Sequence, residues 1–355
     1  MRIGRHHIVV WCCWFVLPAL SSCSVIDEDQ SDCANQAAVN YELRLVTNMS
    51  TEIDTQLSDE GYQDLADALR SHLSGIFTDF AHDVDLSFYD TVGDSVRLQH
   101  DQHIMDANQA TYTLNLPMRQ YMHLAAANLL NNDQVGLVND DTCHPSMLQQ
   151  QVRDTVDSHT TGLFTARQPM DVQGSVNQDF NVRLYMANCA AALVVDPRDV
   201  DARGMQVYTT GFATGYHLCD SNYIFPAKSP IVRTSLVGND GGSDPFAFCS
   251  VNFPSKASAD TRTVIETEEP FVSKEGEENL WEFRVYVPEP ESDQTRGQSR
   301  ITETILRLKK RLKPGQLMIL KGWLDHKGAF NTKDKTVAVS VTLDWNKNHE
   351  QDVPL

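Results

Sequence analysis

No Gly-x-Ser-x-Gly elbow, His-Glu-x-x-His pair, Walker loop or glycine-rich dinucleotide turn occurs in the sequence. The commonest hydrolase, metalloprotease, nucleotidase and dehydrogenase signatures are therefore missing, and no cofactor is expected. Beyond residue 22 no apolar run approaches the roughly 20 residues of a transmembrane helix. Internal repeats and low-complexity tracts are absent too. Positive charge is scarce: 29 Lys and Arg face 48 Asp and Glu, for a net charge of −19. So acidic a surface repels nucleic acid and anionic lipid headgroups, which excludes nucleic acid as a partner. Cysteine is sparse as well, eight in 355 residues with no Cys-x-x-Cys pair, so a zinc site is not expected.

What is present begins at the N-terminus. Arg2 and Arg5 precede an apolar run from Ile8 to Leu20, the pattern of a secretory signal and too short to span a bilayer comfortably. The run ends in Leu20-Ser21-Ser22-Cys23, which resembles the lipobox of bacterial lipoproteins, where the chain is cut before a cysteine whose thiol is acylated. Residues 1–22 are then the signal peptide, Ser22 and Cys23 flank the cleavage, and Cys23 carries the lipid; an ordinary signal with an incidental cysteine is the alternative. Two or three acyl chains, at about 0.8 kcal/mol per buried methylene, hold a protein almost permanently on a membrane. Losing Arg2 and Arg5 takes the net charge from −19 to −21. Cys12 and Cys13 leave with the signal and Cys23 is acylated. Cys33, Cys143, Cys189, Cys219 and Cys249 remain, an odd set that forms two disulfides at most; buried apolar thiols are the default.

Residues 23–39 are polar, acidic and aperiodic, which reads as a lipidated flexible tether. YELRLV from Tyr41 alternates like a half-buried strand. Between Asp59 and Phe80 the period changes to three and four, with Tyr62, Leu65, Leu69, Leu73, Ile76 and Phe80 on one stripe and Ser58 placed to cap; this predicts an amphipathic helix against a flat partner. Strands follow at Val84–Asp90, Val96–His100, Thr111–Leu116 and Tyr121–Leu129, separated by turn-prone residues. The stretch GSVNQD, Gly174 to Asp179, marks a boundary between domains at 40–176 and 177–355. The second domain holds FNVRLYM, GMQVYTTGF, PIVRTSLV, PFAFCSVNF, LWEFRVYV and TVAVSVTLDW as strands. In the last, Val337, Val339, Val341, Leu343 and Trp345 share one face, so the C-terminus closes a sheet. ITETILRLKKRLKPGQLMIL suits a strand that turns into a hairpin at Pro314-Gly315, although Ile301, Ile305, Leu308 and Leu312 also fit a helix. Short strands with one inserted helix predict an all-β chain of two tandem β-sandwiches.

Four groups of polar and charged residues stand out. HDVD (His82 to Asp85) and HDQH (His100 to His103) combine imidazole and carboxylate, but on strands each splits into pairs, Asp83 with Asp85 and His100 with Gln102, and two ligands are too few. Both are expected as solvated strand ends. GNDGGSD (Gly238 to Asp244) lacks the spacing and closing Glu of a calcium loop and reads as a surface turn. Arg307, Lys309, Lys310, Arg311 and Lys313 form a basic, solvated patch. No metal site is expected.

In order along the chain, the lipobox with CSVIDEDQSDC (Cys23 to Cys33), DLSFYD after the helix, LPMRQYMHLAAANL (Leu116 to Leu129) and LFTARQPMDV (Leu163 to Val172) resemble the fimbrillin-associated anchor lipoproteins of type V fimbriae of Bacteroides and Porphyromonas relatives. Asp27, Glu28 and Asp29 resemble the acidic signal that exports such lipoproteins to the outer face of the outer membrane, and also suit a plain solvated linker. The resemblance implies two transthyretin-like β-sandwich domains, the helix inserted in the first. It also implies a non-catalytic protein, lipid-anchored in the cell outer membrane, that fixes a fimbria by binding pilin subunits through strand pairing at a sheet edge. An accessory tip subunit of the same fimbria resembles it equally. From a different class, a glycan-binding lipoprotein of a nutrient-uptake system would need aromatic platforms, and Trp281, Trp323 and Trp345 are few. A lipid-anchored hydrolase lacks a nucleophile motif.

Overall fold

The computed structural model describes residues 36–46, 53, 56–57, 62–78, 81–104, 111–138, 140–174, 178–238, 244–256, 280–288, 301–335 and 337–344. The chain opens with strand β1 (Gln36–Val46), then helix α1 (Gln63–Ile76), β2 (Asp83–Asp90), β3 (Arg97–Ile104), β4 (Thr111–Pro117) and β5 (Gln120–Ala127). Three short strands follow, β6 (Val135–Val138), β7 (Met147–Gln150) and β8 (Thr155–Asp157), before β9 (Phe164–Asp171) and β10 (Gln178–Met186). With β1 to β5 these last two complete a seven-stranded sheet in the order β3-β2-β5-β9-β10-β1-β4. β1 starts ahead of the expected strand: Ala37 and Val39, read as tether, are buried in the core. The division expected at 176/177 falls between β9 and β10, neighbours in this one sheet.

That sheet is folded over on itself. β1 and β5 stand three places apart, about 14 Å if flat, yet the Tyr41 hydroxyl of β1 bonds the His123 ring of β5. Likewise the rings of His103 and Tyr112, on the two end strands, lie 4.7 Å apart. The bend is at β9 and β10, which share only the pairs Tyr185 with Thr165 and Met186 with Phe164. One half therefore faces the other as a sandwich, with Leu43, Leu86, Phe88, Leu114 and Leu184 between them.

Within that core His123 stacks on Phe88 at 4.5 Å, and its Nδ1–H donates to the Ser87 carbonyl at 3.1 Å. This tautomer leaves Nε2 to accept the Tyr41 hydroxyl proton. Burial holds the imidazole down to about 4 and pushes the Tyr41 phenol well up, so both stay neutral. Tyr41→Phe strands Nε2 in apolar surroundings and is expected to lower stability by about 1–3 kcal/mol, read as a shifted denaturation midpoint with an unchanged slope.

The second half begins with β11 (Cys189–Asp196), β12 (Gln206–Thr210), β13 (Gly215–His217) and β14 (Asn222–Ile224), followed by β15 (Ile231–Arg233), β16 (Ser235–Val237) and β17 (Phe246–Asn252). β18 (Trp281–Pro288), β19 (Ile301–Leu308), β20 (Leu317–Leu324), β21 (Phe330–Thr332) and β22 (Val337–Asp344) complete the chain. A five-stranded sheet, β16-β17-β11-β20-β21, faces a six-stranded one, β22-β19-β18-β12-β15-β8. Between them lie Phe212, Trp281, Phe283, Leu306, Leu308, Leu320 and Phe330. PIVRTSLV is not one strand: β15 and β16 belong to different sheets, and the chain changes layer at Thr234. Pro314-Gly315 likewise turns the chain between sheets, so β19 and β20 are strands but not a paired hairpin.

The strands β11 and β17 of the five-stranded sheet are buried on both faces. Along β11, Cys189, Ala191, Leu193 and Val195 meet the six-stranded sheet, while Ala190, Ala192 and Val194 join the cluster that contains the first sandwich and α1. Leu65, Ala66, Leu69 and Leu73 are the buried side of that helix, which packs on β16 and β17. The flat partner of the helix thus belongs to the second sandwich. Of the expected helix, Ser58 and the stretch 58–61 lie outside the described residues. At its far end Gly162 donates to the Ile76 carbonyl at 2.8 Å; a Cβ there would press on Phe77, so glycine permits the contact.

A four-stranded sheet, β14-β13-β7-β6, covers the outer face of β2 and β5, where Tyr89, Leu124 and Ala126 meet Val135, Leu148 and Leu218. No helix among the described residues is long and apolar enough to cross a membrane.

Candidate functional site

Ser22 and Cys23 lie outside the described residues, as do Cys33 and the acidic run after Cys23. Asn239 to Ser243 of the calcium-loop candidate lie outside them as well. The features that the structure does place are sheet edges, a carboxylate–imidazole network and the cysteines.

The longest end strand of the second sandwich is β22, paired along all eight residues with β19 and with no strand on its other side among the described residues. Its sequence VAVSVTLD holds no proline and no charge before Asp344, and Val341 is 46% exposed. Natural edges are usually blunted by lysine, proline or a bulge, and an edge without them is a template for an added strand. β3, the end strand of the seven-stranded sheet, is partly closed: Arg97 N–H donates to the Asp141 carbonyl at 2.8 Å, and Cys143 N–H to the Ser95 carbonyl at 3.0 Å.

Asp83 and Asp85 are buried, not solvated as their position in the sequence suggests. Asp83 Oδ1 accepts the Leu129 and Leu130 N–H groups at 2.9 and 3.0 Å, anchoring the chain that leaves β5. Asp85 accepts from His100 Nε2 at 2.6 Å, Gln102 Nε2 at 2.9 Å and the Ser87 hydroxyl at 3.3 Å. The antiparallel register sets Asp85 opposite Gln102 and Ser87 opposite His100, so Asp85 of one pair meets both members of the other while Asp83 stays apart. His103 points to the other face, against Tyr112. The network's carboxylates are consumed by donors of the chain itself. Among the described residues, the one His, Cys and acid set close enough to share an ion is His144, Cys219 and Asp220, and the sulfur of Cys219 is already bonded.

The basic patch is divided. Arg307 donates to the Ser340 hydroxyl at 2.7 Å and pairs with Glu282, while burial lowers the Arg311 guanidinium, whose Nε has no partner among the described residues. Cys143 and Cys219, 76 residues apart in sequence, form a disulfide with their Cα atoms 5.5 Å apart. Cys189 and Cys249 are buried thiols; enclosure pushes Cys249 up to about 12 and Cys189 well up, so neither is a nucleophile.

No protein-family model matches the sequence, and no curated protein sequence matches it. Solved structures do. A candidate adhesin from Bacteroides ovatus aligns over 89% of this chain and 97% of its own, with a TM-score of 0.50 and 11% identity. The chain shares the fold of this Bacteroides adhesin structure. Similar structures also include the fimbrial anchor protein Mfa2 from Porphyromonas gingivalis, at a TM-score of 0.43 and 9% identity over 87% of this chain and 98% of that one. A candidate polysaccharide-binding protein from Bacteroides thetaiotaomicron follows at 0.48 and 8%, over 89% and 100%. At such identities the likeness is one of fold. The all-β reading holds.

Proposed function

We propose that this chain is a non-catalytic lipoprotein of the cell outer membrane that holds a fimbria by binding pilin subunits. Cys23 carries the acyl chains and residues beyond it form the tether; two β-sandwiches in tandem carry the partner. The observation that bears most weight is β22, a long uncharged edge whose backbone groups on one side have no strand partner among the described residues. An added strand gains affinity from main-chain hydrogen bonds and specificity from alternate side chains. The fold shared with the Bacteroides ovatus structure and a disulfide suited to an oxidising compartment both support the reading.

Two substitutions test it. Cys23→Ala is expected to release the protein and its filaments into the medium. Val341→Lys places a charge on the open edge and is expected to abolish pilin capture while the protein stays in the membrane with stability changed by less than about 0.5 kcal/mol. Retention of Cys23→Ala in the membrane, with mass spectrometry finding no acyl group on the wild-type cysteine, would refute the anchor; unaltered pilin capture by Val341→Lys would refute the edge.

A further inference from the structure

Where the folded seven-stranded sheet bends, β9 and β10 part after their two shared pairs and a cleft of about 390 Å³ opens beside them. Arg167 of β9 and Arg183 of β10 both line it, with Gln168, Asn181, Tyr185 and Tyr216. Neither arginine has an ion pair or hydrogen bond among the described residues, in a chain where acids outnumber bases 48 to 29. The carboxylates nearby are engaged elsewhere. Glu42 holds Arg44 at 2.9 Å, Asp179 accepts from Asn40 at 2.8 Å, Asp171 accepts from Gln173 at 2.8 Å, and Asp220 faces His144 at 3.3 Å. In register, Arg44 sits opposite Arg183 with its charge matched by Glu42, so it does not compete for the cleft. An arginine fork matches a carboxylate bidentately, and this cleft has two of them, on neighbouring strands.

The rest of the lining selects among carboxylates. Tyr185 is 56% exposed, and Tyr216 stands at the wall with its ring tilted on Tyr223, 4.6 Å between centroids. Tyr223 is fixed in turn by donating to the Ala187 carbonyl at 2.7 Å, and the Cys143–Cys219 bridge pins the loop just after β13. The wall is thus preorganised. Aromatic faces receive the C–H face of a sugar ring, while the amides of Gln168 and Asn181 both donate to and accept from hydroxyls. A single pyranose fits the volume, and a few convergent polar groups would orient it. We propose that this cleft binds an acidic sugar residue, a pyranose bearing a carboxylate, with Arg167 and Arg183 gripping the carboxylate and Tyr185 and Tyr216 flanking the ring. It gives the chain a second contact, to surface glycan, separate from the edge of β22 and from the lipid.

The test is isothermal titration of the full mature chain with methyl glucuronide and with N-acetylneuraminic acid, set against methyl glucoside and a capped glutamate. The acidic sugars are expected to bind at least about tenfold more tightly than either control. Arg167→Gln and Arg183→Gln are each expected to lower that affinity about ten- to hundredfold, with Arg198→Gln, which lies over Trp323, unchanged. Both cleft arginines are exposed, and an unshifted thermal melt confirms that the variants fold. Equal binding of methyl glucoside, or unaltered binding by both variants, overturns the proposal. Capped glutamate binding as tightly as the sugars also overturns it, because the cleft then reads a carboxylate alone and suits an acidic protein segment. None of these results depends on acylation of Cys23 or on pilin capture.

Discussion

Replacing Cys143 and Cys219 together with serine is expected to lower the unfolding free energy by about 2–4 kcal/mol. The bridge joins positions 76 residues apart, and closing so long a loop removes much of the unfolded chain's freedom. Its two ends lie just before β7 and just after β13, neighbours in the small sheet that covers β2 and β5. Cut free, that sheet keeps only short ladders: three pairs between β13 and β14, three between β13 and β7 and four between β6 and β7. Local opening should therefore precede global unfolding. Hydrogen exchange on the double variant is expected to speed first in β6, β7, β13 and β14, while the two sandwiches keep their protection. An unshifted urea midpoint, or uniform exchange across all sheets, would show that the cover is held by packing on Tyr89 and Leu124 alone.

Acid is expected to weaken the fold well above the range where most carboxylates titrate. His123 and His159 are both enclosed, and burial holds each at about 4 against about 6.5 in an unfolded chain. Between those values the unfolded state binds protons that the native state refuses, so stability rises with pH. The contribution is complete above about 6.5, shrinks as pH falls and is gone near 4. A shift of this size is worth about 3 kcal/mol per histidine. His159 offers the cleaner measurement, because neither ring nitrogen has a partner among the described residues and its ring meets Phe253 edge-on at 5.1 Å. In His159→Phe the slope of stability against pH between 6.5 and 4 is expected to fall by about half. A slope equal to that of the wild type would mean that His159 gains a proton without unfolding.

Much of the fold was legible because one face of most strands is wet. YELRLV and LWEFRVYV alternate as expected, DLSFYD shows as a strand although β2 is buried on both faces, and the helical stripe of Leu65, Leu69 and Leu73 is the buried side of α1. CAAALVVD was not read as a strand: β11 lies in a sheet with cores on both faces, so nothing along it alternates. The layer change at Thr234 escaped for another reason, since a uniform apolar pattern does not tell which sheet each half joins. Register is the information that composition withholds. It alone brings His100 and Gln102 to Asp85, and it sets Arg167 and Arg183 across one cleft, two arginines 16 places apart with nothing between them in sequence to suggest it.

β1 lies between two neighbours, parallel to β10 through eight pairs and antiparallel to β4 through seven. Were the chain held through Cys23 as proposed, a pull toward the membrane would enter β1 at Gln36 and run parallel to both ladders, loading their rungs in shear.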